Sequence, residues 1–268
     1  MDRKDIWIDF GLSGLTKWYG SIFEFTPLEM AVEAAAWGEG AYAPTLREDA
    51  VRLLESPLPT SVIDILSCAA VRFKFDPDVR WMDGRDWLRQ IVEVCEERIR
   101  RDVPRFDALP PAPVGCPELR DAVLAEVRTI ASELERTTAD DPYYAVPEVV
   151  PSLERVVTEV DPDLGFRLFL RVLKAYLVPI SESQHRRYRE LGERFGYNEF
   201  VVDDGTLQVM PRGNSPLSTI AEGGIPVFQG DRPRPSKARR GAPGRRRGRC
   251  RGSRRNSRTA HGPGPSRR

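Results

Sequence analysis

The stretch DPDLGFRLFLRVLKAYLV, residues 161–178, decides the fold because it combines a helix start with a wide apolar face. Asp161 is a favoured N-cap residue type, and Pro162 suits the first helical position. Apolar side chains then recur at three- and four-residue steps, the period of an α-helix. These side chains are Phe166, Phe169, Leu170, Leu173, Tyr176 and Leu177. We therefore predict a helix over 164–178 that is central to the core.

Basic residues interrupt this apolar run at Arg167, Arg171 and Lys174. The run is accordingly too short and too charged to span a bilayer, so we expect no membrane partner. The first ten residues, MDRKDIWIDF, contain acidic side chains and no long apolar segment, which predicts that there is no signal peptide. The four cysteines show no C-x-x-C pairing, and a reduced cytoplasm is the setting we expect.

Comparable helix signals occur along most of the chain. Seven further helices are predicted to start at Thr26, Thr45, Thr60, Asp83, Pro117, Val149 and Ser181. Thr26, Thr45 and Ser181 are each followed three residues later by Glu or Gln, the capping-box pattern. Apolar residues at Leu119, Val123, Val127, Ile130 and Leu134 extend the helix that starts at Pro117.

Strand signals are short and lie near the two ends of the helical region. Ile6, Ile8 and Phe10 alternate, and a second apolar run covers 22–25, so we predict two strands joined around Gly11–Gly14 or beyond. Near the other end, 200–202 and 207–209 flank Asp203-Asp204-Gly205, a turn sequence typical of a hairpin. The predicted fold class is mainly α, with about eight helices in one or two packed lobes and short peripheral β-hairpins.

Composition divides the chain into four parts. Residues 1–103 form a helical lobe with short strands, and 104–116 form a Pro-rich linker. Residues 117–228 form a second helical lobe with a terminal hairpin. Residues 229–268 contain no Val, Ile, Leu, Met or aromatic residue, so we predict a disordered basic tail.

The near-neutral total charge is an average over two unlike segments. The chain carries 41 basic and 40 acidic side chains, and residues 231–268 hold fifteen of the basic and one of the acidic ones. The tail is therefore +14, and residues 1–230 keep 26 basic and 39 acidic side chains, or −13. Such a tail attracts polyanions.

Two interpretations of the tail are open. As a polycation it contacts nucleic acid without sequence preference, mainly through Arg245, Arg246, Arg247, Arg249, Arg251, Arg254 and Arg255. Alternatively, the tail is translated from the wrong frame of a GC-rich gene, since such frames yield Arg, Gly, Pro, Ala and Ser. Mass spectrometry of the native C-terminus distinguishes them, because recovered peptides from 232–268 would rule out the frameshift.

Catalytic and metal-binding signals are weak. Asp76, Asp78, Asp83 and Asp86 cluster as DPDVRWMDGRD. An EF-hand would need an oxygen ligand in place of Arg80 and a glycine in place of Trp81, so we interpret the cluster as a turn and a helix cap.

His185 is the only histidine before the tail, and we expect it at the surface. The sequence has no phosphate-binding or nucleophile motif, so we predict no cofactor, no metal and no catalytic residue.

Tyr143 and Tyr144, which follow Asp140-Asp141-Pro142, are the candidate contact residues for a partner. A purely structural role, in which they cover the ends of neighbouring helices, is the more common alternative. The Trp-rich N-terminal lobe is a further candidate contact surface.

The predicted function follows from the helical fold class, the candidate contact residues and the lack of catalytic motifs in the sequence. We expect a non-enzymatic, cytoplasmic regulatory protein that acts by protein–protein contact with an unidentified partner. The bias of 36 Arg to 5 Lys indicates a high-GC, actinobacteria-like genome, where we associate such proteins with development or secondary metabolism. A nucleic-acid-associated protein that uses its tail is the first alternative. The second is an enzyme of unrecognised class with its site in 117–196.

Overall fold

A computed structural model describes residues 3–6, 9–19, 26–72, 83–108 and 110–211. These residues form eleven α-helices and two short strands, which confirms the prediction of a mainly α protein. The helices are α1 (Gly11–Tyr19), α2 (Pro27–Ala36), α3 (Ala43–Glu55), α4 (Thr60–Val71), α5 (Gly84–Asp102), α6 (Arg120–Thr129), α7 (Ala131–Ala139), α8 (Val149–Glu159), α9 (Pro162–Ala175), α10 (Glu182–Arg194) and α11 (Glu199–Val202). The strands are β1 (Pro179–Ser181) and β2 (Gln208–Met210).

Helix α9 is central to the core, as its apolar face predicts. Every residue in it except Arg171 is buried, and it packs against α1, α4, α6 and α8. The carboxylate of Asp161 caps its start, where it accepts the backbone N–H of Asp163 at 2.7 Å. Gly165 lies directly against α8, and a Cβ atom there would overlap the side chain of Val157. The two helices therefore approach closely at this glycine.

Most of the predicted helix starts are confirmed. Capping boxes are present at Thr26 and Ser181, and Asp83 caps α5. The capping box predicted at Thr45 is wrong. Helix α3 already begins at Ala43 with a proline in its first turn, so Thr45 lies inside the helix.

The eleven helices exceed the eight predicted ones by α1, α7 and α11. The predicted helix from Pro117 begins as a 3-10 turn and is then interrupted at Ile130, whose φ of −111° and ψ of 7° are not helical. Helices α6 and α7 therefore replace one long helix. The predicted apolar face is nevertheless kept, because Leu119, Val123, Val127, Ile130 and Leu134 are all buried.

Helix α1 occupies the positions where the loop between the two predicted N-terminal strands was expected. Gly11 has a φ of +61° and starts a helix where a loop between two strands was expected. The backbone N–H of Leu12, in its first turn, donates to the carboxylate of Asp49 at 2.9 Å. The helix start is therefore stabilised by a residue of α3, which local sequence does not reveal.

The first predicted strand is described only in part. Ile6 and Phe10 are buried in the core, and residues 3–5 form a 3-10 turn. Ile8 and the run over 22–25 lie outside the described residues. Helix α1 itself packs against α2, α3, α4 and α9.

The predicted hairpin over 200–209 is also wrong. Residues 199–202 form the short helix α11, which starts at Asn198, and β2 pairs with β1 rather than with a neighbouring strand. The pairing is parallel, and Ile180 lies opposite Val209. Parallel strands need a long connection, which here contains α10 and α11. The turn residues between 203 and 205 therefore do not predict which strand β2 pairs with.

One hydrophobic cluster includes helices from both sides of the Pro-rich linker. It extends from Ile6 to Leu207, and α4 packs against both α8 and α9. At its described positions the linker, 104–116, contains neither helix nor strand. All of the described residues belong to one compact unit. Among the described residues, no helix combines the length and the apolarity needed to cross a membrane.

Candidate functional site

The candidate contact residues lie on the loop between α7 and α8, residues 140–148, which we name the tyrosine loop. The Tyr143 side chain is 80% exposed, whereas Tyr144 is partly buried. Their ring centroids are 6.2 Å apart, with an angle of 43° between the ring planes. Exposure on this scale is unusual for a large aromatic side chain, because a tyrosine ring normally buries much of its surface.

Asp141 organises the turn that carries the two tyrosines. Its Oδ1 atom accepts the backbone N–H of Tyr143 at 3.0 Å and of Tyr144 at 2.8 Å. Its Oδ2 atom accepts Nε and Nη2 of Arg72 at 3.2 and 3.0 Å. Burial alone would raise the pKa of Asp141, but these donors outweigh burial and lower the pKa below its usual value. The carboxylate therefore stays charged and holds the turn.

Arg72 connects this turn to the ends of two core helices. It follows the last residue of α4 in a left-handed conformation, with a φ of 37°. Its Nη1 atom donates to the carbonyl oxygen of Ala175 at 3.2 Å, and its guanidinium lies 5.4 Å from the ring centroid of Tyr176. The hydroxyl of Tyr176 donates to the carbonyl oxygen of Tyr144 at 2.8 Å. The turn is thus attached to both α4 and α9.

The second half of the loop is attached through α7. The carboxylate of Glu135 accepts the backbone N–H groups of Glu148 at 2.5 Å and Val150 at 3.0 Å, at the start of α8. The backbone N–H of Val146 donates to the carbonyl oxygen of Thr138 at 2.8 Å. Both halves of the loop are therefore held in position while Tyr143 projects into solvent. Such an arrangement suits binding, because the backbone loses little further freedom when a partner docks.

A buried charged cluster lies elsewhere, around α9. Arg167, whose side chain is 2% exposed, donates to both carboxylate oxygens of Asp49 at 2.7 Å and to Asp163 at 3.1 Å. The hydroxyl of Tyr197 donates to the other oxygen of Asp163 at 2.5 Å. The Arg167 guanidinium also lies 4.5 Å from the ring centroid of Phe10. Burial favours loss of its proton, but the two aspartates outweigh burial and raise the pKa of Arg167.

A second set of charges continues this cluster along α9. The Lys174 ammonium lies 3.4 Å from Asp9 and 3.7 Å from Asp204, and it donates to the carbonyl oxygen of Val201 at 3.0 Å. Lys17, in α1, pairs with Asp204 as well. Burial would raise the pKa of Asp204, but the two lysines outweigh it and lower the pKa. These contacts attach α1 and the 203–206 turn to α9.

Local sequence does not show this cluster directly, although it carries one signal of it. Arg167, Arg171 and Lys174 are spaced four and three residues apart, so they lie on one helix face inside an otherwise apolar run. Arg167 and Lys174 are buried, and buried cations require acidic partners, whereas the partly buried Arg171 donates to the carbonyl oxygen of Ala70. The sequence does not show which aspartates supply them. Because these side chains are buried, the cluster determines how the helices pack.

The remaining candidate residues are scattered. Nε2 of the partly exposed His185 lies 2.9 Å from Oδ2 of Asp203. Asp83 caps α5, whereas Asp76 and Asp78 lie outside the described residues. The tail arginines, Arg245 to Arg255, also lie outside them. Within the described ranges, no three His, Cys, Asp or Glu side chains converge as metal ligands.

Cysteine chemistry adds no further candidate in the described part of the chain. Cys95 is fully buried in the core, and burial raises the pKa of its thiol to about 12. Burial raises the pKa of Cys68 as well. A thiol with a raised pKa is a poor nucleophile at neutral pH. Cys95 belongs to the hydrophobic core, whereas Cys68 is partly buried.

No protein-family model, curated protein or solved structure matches this chain.

Proposed function

We propose that the protein is a cytoplasmic regulatory protein without catalytic activity, which acts by binding another protein through the tyrosine loop. The observation that carries this proposal is the 80% exposure of Tyr143 on a loop whose backbone is fixed by Asp141, Arg72 and Glu135. Tyrosine is among the residue types that dominate the binding energy of protein interfaces. A surface tyrosine on a fixed loop thus supports a contact role.

Preorganisation is the physical reason to favour this loop over the other exposed apolar side chains. Binding costs free energy whenever a loop or side chain must be ordered, at about 0.5–1.5 kcal/mol for each flexible side chain. The hydrogen bonds of Asp141 and Tyr176 already order the backbone at Tyr143 and Tyr144. A partner therefore needs to immobilise little beyond the Tyr143 ring.

The test is quantitative affinity isolation of the full chain from cells of its source organism. We expect partner proteins to be recovered with the wild type and to fall at least about tenfold with Tyr143→Ala, the effect of losing about 1.4 kcal/mol at a central contact. Thermal unfolding of Tyr143→Ala should remain near that of the wild type, since the ring is exposed. Phe200→Ala removes an aromatic side chain that is 39% exposed on α11 and serves as the matched control. Equal recovery with wild type and Tyr143→Ala would refute the proposal.

The tail supports a second candidate function, binding of nucleic acid. The observation that favours it is the charge of +14 over residues 231–268. Duplex DNA binding by the full chain should weaken steeply with salt, with a logarithmic slope of about −0.9 for each phosphate neutralised. Replacement of seven tail arginines with glutamine should abolish most of this binding. The seven are Arg245, Arg246, Arg247, Arg249, Arg251, Arg254 and Arg255. Unchanged binding by that variant would exclude these seven arginines as the contact.

A further inference from the structure

We infer that the tyrosine loop binds a basic, arginine-bearing segment of its partner. This inference rests on the proposed function, since it specifies the chemistry of the partner at the same loop. The supporting observations are the charges that surround Tyr143 and the exposure of its ring. Both properties complement a guanidinium group, which carries a full positive charge and stacks on aromatic faces.

The surroundings of the loop carry a net negative charge. Five carboxylates lie within 133–148, and the arginines that belong to the same network are Arg136 and Arg72, which leaves a net charge of −3. The carboxylates belong to Glu133, Glu135, Asp140, Asp141 and Glu148. Residues 1–230 carry −13, which adds to this local charge, whereas the tail of +14 opposes it at long range.

The two arginines are already engaged, whereas two of the carboxylates remain open. Arg72 pairs with Asp141, and Arg136 pairs with Glu133. Asp140 and Glu148 are exposed at opposite ends of the loop, and neither lies within 4 Å of a basic side chain among the described residues, although Asp140 attracts Arg136 at longer range. An incoming cation can therefore pair with them without displacing an existing partner.

The Tyr143 ring gives arginine an advantage over lysine. Three guanidinium–aromatic contacts occur in the described residues, on Phe106, Tyr176 and Phe10, and none of them uses Tyr143. A guanidinium over an exposed tyrosine ring contributes about 0.5–1 kcal/mol, or about a two- to fivefold change in affinity. The planar guanidinium can stack on the ring while its N–H groups reach a neighbouring carboxylate.

The experiment is calorimetric titration of the full chain with a short peptide of alternating arginine and serine. Matched peptides replace each arginine with lysine or with citrulline, which keeps the shape and removes the charge. We expect the arginine peptide to bind best, the lysine peptide to bind more weakly, and the citrulline peptide not to bind. Tyr143→Ala should weaken binding of the arginine peptide about two- to fivefold, and Tyr143→Phe should retain it.

Charge variants show whether the attraction is local. Glu148→Gln should weaken binding of the arginine peptide and reduce its salt dependence, whereas Glu93→Gln removes the same charge from an exposed position on α5 and should have no comparable effect. Equal losses in these two variants, or equal binding by wild type and Tyr143→Ala, would overturn the inference. Repeating the titration with the seven tail arginines replaced by glutamine halves the arginine content of residues 231–268, and unchanged peptide binding would show that the tail does not compete for the loop.

Failure of this inference is distinguishable from failure of the proposed function. If the arginine peptide does not bind while partner recovery still depends on Tyr143, the loop remains the contact site and its partner has a different chemistry. If partner recovery does not depend on Tyr143, the proposed function itself is wrong.

Discussion

Replacing Arg167 with methionine is expected to lower the free energy of unfolding by about 3–5 kcal/mol. Methionine keeps most of the side-chain volume but removes the charge, so the carboxylates of Asp49 and Asp163 remain buried without their cation. Removal of one partner from a buried ion pair costs far more than the pair contributes, because the remaining charge is not solvated. The loss also releases the contact to the carbonyl oxygen of Phe10, which precedes α1.

Urea denaturation of the full chain measures this effect, with Arg155→Met as the matched control. Arg155 pairs with Glu159 across one turn of α8, at a surface where both side chains are about one third exposed. Such a pair contributes about 0.3–0.5 kcal/mol, so the control should unfold almost like the wild type. Adding Asp49→Asn and Asp163→Asn to Arg167→Met should recover part of the loss. Equal stability of Arg167→Met and Arg155→Met would contradict a structural role for the cluster.

Replacing Phe166 with alanine is expected to cost about 3–5 kcal/mol by opening a cavity beside α9. Its ring is fully buried and stacks on Phe195, with ring centroids 5.7 Å apart. It also lies 6.4 Å from the rings of Tyr188, Tyr197 and Phe169. Removal of this ring leaves four aromatic neighbours without a common contact.

The measurement is again denaturation, here with two comparison variants. Phe166→Leu keeps part of the volume and should lose less than half as much stability as the alanine variant. Phe200→Ala removes the same ring from a position that is 39% exposed and should lose clearly less stability than Phe166→Ala, because less of its apolar surface is buried. A small loss for Phe166→Ala would show that the aromatic cluster is not part of the cooperative core.

The helices that local sequence predicts are those with both a cap and an apolar face. Thr26 and Ser181 form the expected capping boxes, and Asp161 caps α9. In these segments the N-cap side chain satisfies free backbone N–H groups within the same turn, so a short window contains the whole signal. The spacing of the apolar residues then predicts which face of each helix is buried.

The elements that were predicted wrongly depend on distant residues. Helix α1 starts where Gly11 adopts a positive φ and the Leu12 N–H reaches Asp49, a residue 37 positions away. Strand β2 pairs with β1 across two helices instead of forming a hairpin around Asp203-Asp204-Gly205. In each case the backbone hydrogen bonds are satisfied by a partner that no local window contains.

The candidate site likewise combines features that the sequence predicts with features that only the packed structure shows. The sequence alone singles out Tyr143 and Tyr144 as an aromatic pair after a turn signal, and it separates an acidic segment from a basic tail. Only the tertiary structure exposes Tyr143 and fixes Tyr144, because Arg72, Asp141 and Tyr176 meet there from three different elements. Composition, caps and apolar period determine where helices form, since these signals act within a few residues. Which charged side chains meet depends on how the helices pack, since those partners lie up to about 200 positions apart, as Lys17 and Asp204 do at a separation of 187.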